Sequence, residues 1–230
     1  MKAPHDQAAT LGHAPGRPSA SESLSRIESL LDVATEVFTE RGYFGASLGE
    51  IARRASASKQ TLYVRFPTKA ELFEAVLRRE TERAHLLFNV ILVNDQPIEK
   101  VLEEFGLEMV RVILAERSQR LIRTISATVE PFPDLAKGLW RQISESGIQI
   151  LADYIQMQSK MGVLREVDPR IAANVFHGLT MGPYFLPAQL GVKPAPPMHD
   201  FRVYVEEAVR VFLSAYGRGH AANDSIEDLE

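Results

Sequence analysis

Residues 47–69, reading SLGEIARRASASKQTLYVRFPTK, place two helix starts so close together that the chain has to fold back on itself between them. Ser47 precedes the helically spaced apolar residues Leu48, Ile51 and Ala52, and Glu50 follows three positions after Ser47. This is the capping-box pattern, in which hydroxyl and carboxylate satisfy the free amides of a first helical turn. The run ends at Ala55-Ser56-Ala57, and Ser58 offers an N-cap for a second short helix. Two short helices joined by a few small residues outline a helix-turn-helix over residues 47–66.

Every charged residue from Ile51 to Ala70 is basic: Arg53, Arg54, Lys59, Arg65 and Lys69. A face of one sign suits a polyanion, and double-stranded DNA is the natural partner. Leu62 and Phe66 lie four apart and can anchor the second helix to a core. Lys59, Gln60, Thr61, Tyr63, Val64 and Arg65 are left on its other faces, a mixture of base-edge and phosphate chemistries. The expected DNA-contacting set is Ser47, Arg54, Lys59, Gln60, Thr61, Tyr63, Val64, Arg65 and Lys69. Tyr63 and Lys69 are assigned to phosphates; Gln60, Thr61 and Arg65 are placed nearer base edges. The competing reading is a helical protein-interaction or scaffold module with a solvated basic helix pair. It accounts for the charge but not for the caps and the turn.

The string from Ser58-Lys59-Gln60-Thr61-Leu62-Tyr63 through Phe66-Pro67-Thr68-Lys69 resembles the recognition helix and fourth-helix start of the TetR family of one-component transcriptional regulators. The resemblance runs over residues 25–80. Phe132-Pro133-Asp134-Leu135 further resembles a C-terminal subtype within that family. One departure is Ser56, where the family often has Gly, because a Ser tolerates positive φ poorly. The resemblance implies dimerisation through the last two long helices.

Composition narrows the remaining classes. The chain has 230 residues, 45% hydrophobic and 24% charged, which suits a globular protein of one or two domains. It has no cysteine, so disulfides and thiolate metal sites are excluded. Its histidines show no metal-ligand spacing, and there is neither a Gly-rich phosphate loop nor a G-x-S-x-G elbow. His177 could be drawn into a triad with Asp200 or Ser144, but nothing in the sequence brings them together. The expectation is a non-enzyme without cofactor or metal. The most apolar window, residues 86–93, is short and broken by Asn89, so no bilayer span is expected. With no apolar signal-peptide core either, the expected location is cytoplasmic. The formal net charge of −4 matches the four acids Asp224, Glu227, Asp228 and Glu230 of the last segment. Without them the chain is near neutral, its positive charge gathered at the helix-turn-helix.

The chain divides into a disordered tail (1–22), a helix-turn-helix domain (23–80), a helical effector-binding and dimerisation domain (81–217) and an acidic tail (218–230). Within the first tail, Arg17 could reach a DNA groove as an extended arm. A first helix from Ser25 carries Ile27, Leu30, Leu31, Ala34, Val37 and Phe38 on one stripe and is closed by Gly42. Another helix from Lys69 runs to the break at Asp95-Gln96-Pro97 and would relay signals between the two halves, with Leu87 and Phe88 on its buried side. Further helices are expected over 98–115, 118–130, 134–161 (capped by Asp134), 171–186 (after Asp168-Pro169) and a final stretch from Phe201 to Tyr216. The fold class is all-α, about nine helices.

Pockets between bundle helices suit a small apolar or amphipathic effector. Candidate lining residues are Met109, Arg123, Glu130, Trp140, Asn174 and His177, each with a plainer role as core or solvated face. Residues 171–186 are apolar nearly all round, and the last helix has a wide apolar stripe. Paired with their twins, they would build a four-helix bundle at a two-fold axis. The candidate interface of this homodimer is Phe176, Leu179, Tyr204, Val205, Val209 and Phe212.

Overall fold

A computed structural model describes residues 20–93, 95–141, 145–192 and 198–218. Among the described residues ten α-helices follow one another: α1 (Ala20–Gly45), α2 (Leu48–Arg54), α3 (Lys59–Arg65), α4 (Lys69–Leu92), α5 (Ile98–Leu114), α6 (Glu116–Ser126), α7 (Pro133–Trp140), α8 (Ser146–Lys160), α9 (Pro169–Gln189) and α10 (Met198–Tyr216). Among the described residues the fold is all-α, with one isolated bridge between Leu164 and Gly217.

Several boundaries differ from expectation; α6, for one, ends at Ser126 and not near residue 130. Helix α1 begins at Ala20, inside the segment expected to be a tail. The single helix expected over 134–161 is two α-helices among the described residues, α7 ending at Trp140 and α8 starting at Ser146, with π-type backbone at Arg141 and at Glu145. Asp134 is not a cap: α7 starts at Pro133 with Phe132 as its cap residue, and Asp134 lies in the first turn. A proline at the first helical position has no N–H to leave unpaired. Asp168 does cap α9, accepting the N–H groups of Arg170 (2.9 Å) and Ile171 (3.0 Å). Arg17, Ser144, the rest of the first tail and the acidic tail beyond Arg218 lie outside the described residues.

Apolar side chains form two cores. The first gathers Leu30, Val37 and Phe38 of α1, Ile51 of α2, Leu62 of α3 and Phe73 and Val76 of α4, and is closed by Leu121 of α6 and Leu139 of α7. The second gathers Phe88 of α4, Leu102 and Phe105 of α5, Ile155 of α8, Phe176 of α9 and Val205 and Phe212 of α10. Helix α4 serves both, as a connector should. The expected boundary near residue 80 is therefore not a boundary in packing, since α6 and α7 complete the first core. Leu87, expected on the buried side of α4, is exposed, while Phe88 is buried.

Two features fix the relative placement of helices. Arg79 of α4 is buried and ties α4 to α1, donating to the Glu28 carbonyl (2.9 Å) and Thr35 Oγ1 (3.1 Å) and pairing with Asp32 (3.0 Å). Gly106 lets α5 approach α10 closely: a Cβ there would lie 2.8 Å from Val205 Cγ1. A larger residue there would require Val205 or one of the two helices to shift.

Candidate nucleic-acid interface

The α2 cap is half of what the sequence suggests. The Ser47 hydroxyl accepts the Glu50 N–H at 3.2 Å. The Glu50 carboxylate turns the other way and accepts from Arg54 Nη2 at 2.7 Å, while Arg54 Nη1 donates to Glu40 of α1 at 2.7 Å. The bond to Glu40, then that to Glu50, holds the Arg54 guanidinium above its ordinary pKa. Arg54, expected on the DNA face, thus also clamps α2 onto α1. Its neighbour Arg53 is exposed and makes no ion pair among the described residues.

Helix α2 ends in a Schellman motif. The Ser56 N–H bonds the Arg53 carbonyl (3.3 Å) and the Ala57 N–H bonds the Ala52 carbonyl (2.9 Å). This geometry needs a left-handed residue, and Ser56 supplies it at φ 50°, the only non-glycine with positive φ among the described residues.

Helix α3 opens at Ser58, whose Oγ accepts the Thr61 N–H at 3.0 Å and lies 2.7 Å from the Thr61 hydroxyl. Leu62 and Phe66 are buried as expected and press the helix onto the first core. Lys59, Gln60, Thr61, Tyr63, Val64 and Arg65 all face outward, Val64 being 78% exposed. Arg53, Lys59 and Arg65 are exposed and pair with no carboxylate among the described residues, so the outward residues of α3 with Arg53 offer an unopposed basic set. Its guanidinium, ammonium and amide donors can meet phosphates and base acceptors, and the Val64 methyls suit a thymine methyl. Lys69 stands apart: its ammonium donates to the Ala46 carbonyl at 3.1 Å and lies 4.6 Å from the Tyr43 ring centre. Burial pushes its pKa down. It ties the first turn of α4 to the residue before Ser47, and keeps donors to spare for a phosphate.

The candidate effector residues differ in burial and in partner. Met109 is buried; Arg123 is exposed and donates to the Ala188 carbonyl at 3.4 Å. Glu130 and Trp140 are exposed, and the exposed Asn174 donates to the Arg170 carbonyl at 2.8 Å. His177 is half-buried, its pKa lowered by burial. None of them lines the cleft of about 390 Å³ between α5 and α10, which is walled by Leu107, Val110, Arg111, Leu114, Ala115, Phe201 and Arg202. The spacing of residues 107, 110, 111 and 114 puts them on one helix face, but nothing in the sequence says that this face meets α10.

The residues expected at the subunit interface are largely covered by their own chain. Phe176, Val205, Val209 and Phe212 fill the second core of their own chain, and Leu179 and Tyr204 are half-buried. An apolar helix reads alike on all sides, so its sequence does not say which side its own subunit covers. The exposed side of α9 instead carries Ile171, Val175, Gly178, Gly182 and Leu186 along one stripe, and α10 exposes Val203 and Val211.

Comparison with known proteins agrees with this geometry. Residues 100–218 match the family model of the AefR-like transcriptional repressor, C-terminal domain, and residues 30–76 match that of bacterial regulatory proteins, tetR family. A 53-residue stretch is 51% identical to the HTH-type transcriptional activator FasR of Mycolicibacterium smegmatis, covering 23% of this chain and 24% of that protein. A putative TetR-family transcriptional regulator from Mesorhizobium loti MAFF303099 superposes with TM-score 0.78 at 25% identity, over 85% of this chain and 98% of that one. The flavonoid-responsive regulator FrrA superposes with TM-score 0.68 at 26% identity, over 84% and 97% of the two chains.

Proposed function

This chain belongs to the TetR family of transcriptional regulators, and from that premise we propose that it is a ligand-responsive repressor that binds a palindromic operator as a homodimer. The observation that carries this reading is the outer face of α3. Two buried anchors, Leu62 and Phe66, hold out a row of donors that pair with no carboxylate among the described residues. That is what a helix entering a major groove requires. Gln60, Thr61 and Arg65 are the base readers; Lys59, Tyr63, Arg53 and Lys69 hold phosphates.

Dimerisation is supported by the exposed apolar stripe of α9 and the apolar positions of α10 beside it. Gly178 and Gly182 leave room for close approach of a second helix pair. A two-fold dimer presents two α3 helices, so its operator is an inverted repeat. The repressor sign rests on the family model of the C-terminal region; FasR is named an activator. Effector response is supported by FrrA's being flavonoid-responsive. It works as a population shift toward dimers whose α3 spacing no longer fits the half-sites. Tyr63 and Lys69 serve every duplex alike, so sequence choice lies with the base readers.

Selecting bound duplexes from a random pool tests the reading. The expected product is one inverted repeat, with a reporter behind it silenced by the protein. A pool enriched in no sequence, or in a single half-site bound by monomer, overturns it.

A further inference from the structure

We propose that the cleft between α5 and α10 is the effector site and that its ligand is an amphipathic carboxylate, with an acidic head and an extended apolar body. This deepens the regulator reading above and rests on it. Leu107 and Val110 of α5 and Phe201 of α10 are buried and make an apolar floor. Its volume, about 390 Å³, lies within the roughly 300–1,000 Å³ of small-molecule sites. Arg111 and Arg202 stand exposed on its two walls, one from each helix. Arg202 makes no ion pair among the described residues, and Arg111 has one acidic partner, Glu108 at 3.2 Å on its own helix. Two guanidinium groups over an apolar floor fit a carboxylate head with a hydrocarbon tail: the heads pair in the fork geometry that Arg favours, and the tail leaves water.

The cleft is placed to matter for DNA binding. Leu114 and Ala115 form its end, and Ala115 is at once the C-cap of α5 and the N-cap of α6. From there α6 runs into the first core, where Leu121 is buried and the Thr124 hydroxyl lies 3.4 Å from the Phe38 carbonyl. A ligand that changes the spacing of α5 and α10 therefore acts on the joint from which α6 enters the DNA-reading head. Gly106, already in contact with α10, allows little slack on that side.

Calorimetric titration of the full chain with decanoate and with decanol, alongside operator binding, tests the proposal. Decanoate should saturate one site per chain and bind at least tenfold more tightly than decanol. Arg111→Gln and Arg202→Gln should each weaken decanoate at least tenfold and leave decanol unchanged. Leu114→Trp should fill the cleft and abolish decanoate binding with helical content unchanged. Absence of decanoate binding, equal affinity for the acid and the alcohol, or full affinity in the Arg and Trp variants overturns the site. Decanoate binding with all these dependences but no effect on operator affinity upholds the site and overturns instead the ligand-responsive reading.

Discussion

Phe132 stacks on Phe44, ring centres 6.1 Å apart and planes 21° from parallel, although the two residues belong to different halves of the chain. Phe132 is the N-cap residue of α7, and Phe44 lies at the end of α1, past the kink at Gly42 and just before Ser47. The same ring also meets Tyr43 edge-on at 6.2 Å. The α6–α7 connection therefore touches the DNA-reading head immediately before the cap of α2, a second contact route beside α4.

Phe132→Ala should remove both ring contacts at a cost of about 0.5–1.5 kcal/mol, because both phenylalanines are partly exposed. Hydrogen exchange should rise in residues 43–55 and stay unchanged in α8 to α10. Uniformly faster exchange would show that the ring supports the whole fold and does not brace the head.

Arg54→Gln and Arg65→Gln should separate clamping from reading. The first loses the bonds to Glu40 and Glu50, so it should lower the unfolding midpoint and leave the salt dependence and base choice of operator binding intact. The second should leave the midpoint unchanged and cost roughly 1–3 kcal/mol at one base position. Similar binding profiles for the two variants would return Arg54 to the DNA face.

Ser56→Gly should stabilise the protein. A left-handed L-residue costs about 1–2 kcal/mol, and glycine's greater freedom when unfolded takes back part of that. A net gain of roughly 0.5–1 kcal/mol is expected, read as a higher urea midpoint at constant slope. A lower midpoint would mean that the Ser56 side chain contributes more than its backbone costs.

Stability should decline in mild acid because of His177. Burial lowers its pKa from the ordinary 6.5, so the unfolded chain binds the proton more readily than the folded one. Its contribution is complete above about pH 6.5 and is lost as pH falls from there through the folded value. His85 is shifted the same way by burial, with Glu82 opposing. Urea unfolding followed against pH should show a shallower acid decline for His177→Gln; an identical decline assigns the effect to other groups.

The sequence by itself determined the caps at Ser47, Ser58 and Asp168, the anchors Leu62 and Phe66, the all-α class and the outward set on α3. Each of these depends on residues within about four positions of one another, where a hydroxyl meets an amide one turn on and the apolar period selects a face. Tertiary structure alone decided that Arg54 belongs to Glu40, that Phe132 lies on Phe44, and that Phe176 and Phe212 fill their own core while Ile171 and Val175 stay outside. It also decided that Arg111 and Arg202 share a cleft. These pairings join residues far apart in the chain, and the partner of a charged group or an apolar face depends on which helices pack together. A guanidinium satisfies its charge with whichever carboxylate folding brings within 3 Å or so, and a helix apolar on every side carries no mark of the side its own core will cover.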